Sequence, residues 1–380
     1  MLHFSPESKQ HSLLEWTFRM LIVRSPVRIS FGGGGTDLPV YYEQFGGAVL
    51  SVAINKYFYT ILGARNDGRV QVISSDLRVF ENWHDIANMS IQGSELEIPL
   101  AVLKELGTTV SVDLFLASEI PPGTGLGSSA SVCVNILKTL TNYLHRPLSK
   151  YQLAEQSFHI ARNVLGKHVG KQDEYAAAFG GLNYISFHED GNSDVESLDL
   201  DPSILREFQS NLMLFFTGSA HHSWSILQEQ ESSTRSHTTS TLEALHQVKA
   251  IAPRMRDVLK VGELHRFGEL LHESWQAKRK ISNKISTPHI DKLYACAQEH
   301  GAVGGKITGA GGGGFLLLYC DAINRHAVRE ALSKQGVQEM AFSFDMQGAQ
   351  VVVNDPFIDS DEQGGSRWLF VPAKAMGGRG

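Results

Sequence analysis

Cysteine is nearly missing from this chain. Cys133, Cys296 and Cys320 are its only thiols in 380 residues, odd in number and far apart. A disulfide framework is therefore excluded as the organising device, and a reducing, cytoplasmic compartment is expected. No CxxC pair is present to suggest a structural zinc site. No run approaches about 20 continuous apolar residues, the length a membrane-spanning helix needs. Positive charge is not in excess: 34 Lys and Arg face 40 Asp and Glu, for a net charge of −6. That balance recommends neither nucleic acid nor a membrane as partner. Residues 1–19 mix His, Ser, Glu and Lys with isolated apolar positions and lack a signal-peptide layout. Residues 1–20 are expected as an extension, with Met20 a second potential start.

What is present is globular: 42% hydrophobic and 19% charged residues, and enough length for two domains. Val27, Ile29 and Phe31 alternate with Arg28 and Ser30, which predicts a half-buried strand running into the turn Gly32-Gly33-Gly34-Gly35-Thr36-Asp37. Further strands are expected at 48–54, 57–63, 69–74 and 110–116. Val132, Ile136, Leu140 and Leu144 predict a helix opening at Ser128 or Ser129. A second helix, about 151–166, puts Ala154, Phe158, Ala161 and Leu165 on its apolar face. The acidic, turn-rich residues 189–203 mark a boundary. Beyond it the sequence predicts a strand at 212–216, a mobile polar stretch at 223–240, and three helices starting near Leu242, Leu264 and Thr287-Pro288. A strand at 315–319, a helix near 323–335 and strands near 340–345 and 349–353 follow. The expected fold is α+β, with an extension (1–20), an N-terminal domain (21–203), a C-terminal domain (204–354) and a tail (355–380) whose Trp368-Leu369-Phe370-Val371 either docks or stays disordered.

Two glycine-rich loops carry the chemistry. The first is Pro121-Pro122-Gly123-Thr124-Gly125-Leu126-Gly127-Ser128-Ser129-Ala130; the second is Lys306-Ile307-Thr308-Gly309-Ala310-Gly311-Gly312-Gly313-Gly314. Glycines let backbone N–H groups converge on an anion, and a helix N-terminus adds donors and a positive dipole. Each loop also reads as a tight structural turn. The second contains GxGxxG, but with a helix expected before it and an apolar strand after it, the order is wrong for a dinucleotide site. The first lacks the Lys of a Walker A loop. It leaves a less common phosphate loop in which a serine hydroxyl at the helix start could ligate Mg²⁺.

With Arg24-Ser25-Pro26-Val27-Arg28-Ile29-Ser30-Phe31 and the Gly-Thr-Asp turn before them, the two loops resemble, in order and spacing, the motifs of the GHMP kinases. The likeness spans about residues 21–353. Gly170-Lys171-Gln172-Asp173, Tyr175–Gly181 and the stretch from Leu271 through Trp275 to Lys278-Arg279-Lys280 resemble the heptose 7-phosphate kinase and L-fucose kinase branch. The resemblance implies a ribosomal-protein-S5-domain-2-like N-terminal half and a ferredoxin-like C-terminal half. It also implies an ATP- and Mg²⁺-dependent kinase acting on the anomeric hydroxyl of D-glycero-D-manno-heptose 7-phosphate. An L-fucose or related hexose 1-kinase, and a catalytically weak sugar- or ATP-binding regulator, are the alternatives. Partners are then a sugar phosphate and ATP, and a homo-oligomer is admitted.

Residue roles follow from the same likeness. Asp173 matches the catalytic aspartate, against a cap for the helix over 174–179; Arg28 matches an arginine at the transferring phosphoryl group, against a solvent-facing strand residue. Pro121, Gly123, Gly125, Leu126, Gly127, Ser128, Ser129 and Ala130, with Gly309, Gly311 and Gly312, are expected to bind ATP. Ser129 is also the metal ligand. Gly34, Gly35, Thr36, Asp37, Gly170, Gln172 and Lys278 are expected on the sugar, Lys278 with Arg279 and Lys280 as a clamp for the 7-phosphate, and Lys167 and Lys171 as competitors. Lys306 could reach a phosphate or lie exposed. One departure stands out: where many family members carry a metal-holding glutamate, this chain has Ala161, consistent with core packing.

Overall fold

The computed structural model describes residues 20–84, 86, 88–107, 110–218 and 223–354; the extension and the tail with Trp368–Val371 lie outside them. Strand β1 (Met20–Gly32) shows how the two halves of the chain meet. Its first residues alternate, Leu21 and Val23 buried and Ile22 and Arg24 partly exposed, while residues 25–32 are buried without interruption. A strand covered on both faces reads this way. Leu21 and Val23 join one core with helices of the first half, and Val27, Ile29 and Phe31 join another built largely from the second.

After β1 come α1 (Pro39–Phe45), β2 (Gly47–Ala64), β3 (Val70–Ser74), β4 (Val79–Trp83), α2 (Glu97–Glu105), β5 (Val112–Ser118), α3 (Ser128–Tyr143) and α4 (Lys150–His159). A π-helical turn over Ile160–Val164 leads to α5 (Gln172–Phe179), β6 (Leu182–Phe187) and β7 (Ser193–Ser197). The two strands expected at 48–54 and 57–63 are one long strand, with a register irregularity opposite Pro26 and Val27. The acidic stretch expected as irregular chain contains β7, which closes a hairpin on β6.

The second half holds α6 (Pro202–Asn211), β8 (Leu212–Phe216), α7 (Ser223–Arg235), α8 (Thr239–Lys260), α9 (Leu264–Arg279), α10 (Pro288–Glu299), β9 (Ala302–Ile307), β10 (Phe315–Cys320), α11 (Arg325–Lys334), β11 (Gln338–Glu339) and β12 (Gln350–Asn354). The larger sheet runs β12-β1-β2-β5-β3-β4 with β6 and β7 attached to β2; the smaller, antiparallel sheet runs β11-β8-β10-β9. The C-terminal strand therefore returns to the first sheet.

Three further expectations are corrected. The strand expected near 340–345 is reduced to a single bridge between Phe344 and Ile54, after the two-residue β11. The polar stretch from Ser223 is helical: Ile226, Gln230 and Thr234, four residues apart, are buried on one face of α7, and the polar pair is hydrogen-bonded there. A strand, not a helix, precedes the second glycine loop. That loop turns the antiparallel hairpin β9–β10, so the order remains wrong for a dinucleotide fingerprint.

Candidate active site

The two glycine loops, nearly two hundred residues apart in sequence, pack against each other. A Cβ on Gly309 would stand 2.5 Å from Gly125 Cα, and one on Gly125 would stand 2.5 Å from the Thr308 carbonyl oxygen; both glycines have positive φ. Only glycine meets both demands at this crossing. Thr308 Oγ1 donates to the Thr124 carbonyl at 3.4 Å across the same junction.

The first loop delivers its helix open-ended. Gly127, in the left-handed region, is the N-cap of α3, and no side chain caps the helix. Ser131 N–H donates to the Gly127 carbonyl at 3.1 Å, in the first turn of the helix. The N–H groups of Ser128, Ser129 and Ala130 thus lack an intrahelical acceptor, as the start of any helix requires, and face a cleft that these three residues line.

That cleft, about 390 Å³, also reaches Arg28, Gly34, Gly35, Asp37, Gly123, Gly125, Gly127, Gly170, Gln172, Asp173, Lys278 and Gly309. At its centre Arg28 Nε and Nη2 each donate at 2.7 Å to the two carboxylate oxygens of Asp173, and Arg28 Nη1 donates to the Gly125 carbonyl at 2.7 Å. Arg28 is only 3% exposed, so it is not a solvent-facing strand residue. Lys171, not Asp173, is the N-cap of α5, and Asp173 lies in its first turn. The pair sits under the helix start: the Cβ position of Gly127 is 3.1 Å from Asp173 Oδ2 and 3.3 Å from Arg28 Cζ.

Asp37 is buried beside this pair. Its oxygens accept from Gly35 N–H at 2.8 Å and Gln172 N–H at 3.2 Å. Burial first, then the Asp173 charge, raises its pKa above the usual carboxylate range. Gly170 must be glycine, because a Cβ there would stand 2.1 Å from Asp37 Oδ2. Thr36 is fully buried and donates to Gly33 O, which fastens the turn rather than lining the cleft. Leu126 is likewise core, while Gly311 and Gly312 pack on Ile285, with Gly312 N–H donating to its carbonyl at 2.9 Å. Pro121 is exposed at the loop edge.

The basic run of α9 is divided. Lys278 enters the cleft, Arg279 pairs with Asp291 at 3.0 Å, and Lys280 is exposed. Lys171 turns away to Glu155, whereas Lys167 lines the cleft and pairs with Glu97 at 2.8 Å. Lys306, expected either exposed or on a phosphate, is buried in β9, with its ammonium 3.3 Å from the Phe31 carbonyl. Ala161 is also relocated: it lines the cleft instead of the core. Ala161 lies in the π turn, where Leu165 N–H bonds back five residues to Ile160 O.

Residues on α7 and around it escaped the sequence reading. Leu227 and Gln230 wall the cleft, and Gln230 Nε2 donates to Gly35 O at 3.2 Å. Buried Glu231 accepts from Arg162, His168 and Arg235; burial opposes its charge, yet those hydrogen bonds bring its pKa down to about 2. Glu174, beside Asp173, is buried and lines the cleft with Oε2 unpartnered among the described residues, and burial raises its pKa well above the ordinary value.

Comparison with known proteins gives this geometry its family. Residues 96–181 match the GHMP kinases N-terminal domain and residues 241–338 the GHMP kinases C-terminal domain. The chain is a GHMP kinase. The α+β architecture with two sheets is that of the family. This GHMP kinase is 29% identical, over 86% of its length and 97% of the relative's, to a D-glycero-alpha-D-manno-heptose 7-phosphate kinase of Campylobacter jejuni subsp. jejuni serotype O:2. It is 25% identical to an L-fucokinase/L-fucose-1-P guanylyltransferase of Bacteroides fragilis, over 78% of its own chain and 34% of that one. A crystal structure described as a D-glycero-D-manno-heptose 1-phosphate kinase from Bacteroides thetaiotaomicron superposes with a TM-score of 0.73 at 28% identity, covering 87% of this chain and 98% of that one. The enzyme is thus a sugar kinase that transfers phosphate to an alcohol, with ATP as the family's donor. No helix among the described residues is long and apolar enough to cross a membrane.

Proposed function

We propose that this kinase transfers the γ-phosphoryl group of ATP to the anomeric hydroxyl of D-glycero-D-manno-heptose 7-phosphate, giving the 1,7-bisphosphate. The observation that carries the reading is the Arg28–Asp173 fork directly beneath the open N-terminus of α3. The first loop and helix N–H groups hold the β- and γ-phosphates, with Gly309 as a supporting wall from the second half. Each Asp173 oxygen bound to Arg28 keeps a lone pair for the acceptor hydroxyl, so the carboxylate orients that hydroxyl and takes its proton. Arg28 then balances charge growing on the phosphate oxygens. Gly34, Gly35, Gly170, Gln172 and buried Asp37 form the acceptor side, and Asp37 suits a polyol hydroxyl. Residues 21–203 form the ATP-binding and catalytic domain in this scheme, and 204–354 the domain that closes it.

The residues present suit a Mg²⁺ that keeps most of its water. Among the described residues no cluster of three or more acidic, His or Cys side chains gathers to hold a metal, and Asp173 is engaged by Arg28. Ser129, exposed at the helix start, would supply one hydroxyl to the ion, alongside phosphate oxygens and water. The ion would neutralise charge between the β- and γ-phosphates.

ATP turnover against the heptose 7-phosphate, L-fucose, galactose and mevalonate, with phosphorus NMR locating the new phosphate, tests the reading. A new anomeric phosphate on the heptose 7-phosphate is expected. Turnover of free L-fucose but not of the heptose would replace the substrate. ATP binding without turnover of any sugar would favour the regulator.

A further inference from the structure

Lys278 stands at the transfer centre, which is the wrong place to clamp a phosphate on the far end of the sugar. It is 5% exposed and lines the cleft from α9. Its ammonium donates to the Gly309 carbonyl at 2.5 Å, on the loop that packs against Gly125, and lies 4.0 Å from the Cβ position of Gly34. Charged groups face it from four sides: Arg28 on β1, Asp37 in the turn after β1, Asp173 on α5 and Lys306 on β9. An ammonium carries three donors, so Gly309 leaves capacity for further acceptors. An acceptor whose C1 hydroxyl meets Asp173 carries its C7 phosphate at the opposite end of a seven-carbon skeleton. The anion that comes near Lys278, Arg28 and Asp173 together is the one being transferred.

We propose that Lys278 is a catalytic residue whose ammonium binds the oxygens of the γ-phosphoryl group during transfer, sharing that charge with Arg28. This rests on Asp173 and Arg28 marking the transfer centre. In the step, a lone pair of the acceptor oxygen forms the new O–P bond and the bond from the γ-phosphorus to the β,γ-bridging oxygen breaks. That electron pair leaves on ADP, and the hydroxyl proton passes to Asp173. Lys278 keeps its proton throughout and donates hydrogen bonds to the equatorial oxygens. A buried cation held in place before the reaction costs no reorganisation when the charge develops. Lys278 is also poised between charge states: burial and then Arg28 pull its pKa down to about 8, against Asp37 and Asp173. The free enzyme then loses the cation in the mildly alkaline range, and an arginine would not.

Steady-state kinetics of Lys278→Met and Lys278→Arg test this, with ATP and two acceptors, the heptose 7-phosphate and the same heptose without its phosphate. Lys278→Met is expected to lose kcat by about 100-fold, the scale of a lost oxyanion donor, on whichever acceptor the wild type turns over, with KM for that sugar little changed. Lys278→Arg should restore part of the rate and move the alkaline limb of kcat/KM from near pH 8 to higher pH. A rise in KM for the phosphorylated sugar alone, at unchanged kcat, would make Lys278 a distal clamp and overturn the proposal. Melting curves report folding; if Lys278→Met does not fold, an unmoved alkaline limb in Lys278→Arg overturns it as well. Asp173→Asn run in parallel separates the two ideas, because full turnover there would remove the transfer centre itself whatever Lys278 does.

Discussion

Asp173 and Arg28 are bound so closely that charge and shape can be separated by substitution. Asp173→Asn keeps a side chain that can still accept from Arg28 but removes the base, so kcat should fall by roughly 100-fold or more with nucleotide binding intact. Asp173→Ala leaves a buried guanidinium without its partner and should also cost roughly 3 kcal/mol of stability, read as a lower melting temperature than that of Asp173→Asn. Glu174 gives a prediction of opposite sign. Its folded pKa is raised by burial, so the folded state holds a proton that the unfolded state has released above the ordinary carboxylate range. Stability from this group is full in acid and is lost as pH rises toward the folded pKa. Glu174→Gln should therefore melt higher than the wild type at pH 8, and the gain should shrink toward pH 4. An equal gain at both pH values would contradict the assignment. That Arg28, Asp37 and Asp173 meet at one cleft was legible in the sequence, because the motifs that carry them are contiguous and ordered. Lys306 was not, because nothing local distinguishes a lysine buried in a strand from one on a surface.

Elements built from ordinary periodicity were equally readable. α3, α8 and α9 present apolar residues at the spacing their geometry demands, and the structure places them where the sequence does. β1 is a strand as expected, but it is buried on both faces from Ser25 to Gly32 rather than half-buried. α7 escaped because its buried face is largely polar: Gln230 and Thr234 are satisfied by hydrogen bonds, so burial leaves no hydrophobic stripe to see. The π turn after α4 escaped for another reason, since one added residue per turn shifts the register without altering composition. Both misses fall on the wall of the cleft. Gln230→Ala is expected to raise KM for the sugar, because Gly35 loses its brace, while leaving KM for ATP little changed; an effect on ATP alone would contradict that placement. At the loop crossing, Gly309→Ala adds a Cβ into the Gly125 backbone at positive φ and should cost at least about 1 kcal/mol. Its signature is a lower melting temperature together with weaker ATP binding, because the added Cβ pushes the second loop away from the first.

Across the whole molecule, the cleft is assembled from both halves of the chain. Arg28 and Asp173 come from the first half, Gln230, Lys278 and Gly309 from the second, and β12 returns to pair with the start of β1, Leu21–Arg24. Sequence order alone separates these groups by up to about three hundred residues, and the apolar cores on the two parts of β1 are what bring them together. The activity proposed for this constellation is phosphorylation of the anomeric position of a phosphorylated heptose. The most direct measurement is phosphorus NMR of ATP and D-glycero-D-manno-heptose 7-phosphate incubated with the wild-type kinase and with Asp173→Asn. A new anomeric phosphate resonance alongside the retained 7-phosphate signal is expected with the wild type, and none on the same timescale with Asp173→Asn. Phosphate appearing at another position, or equal product with both proteins, would contradict it.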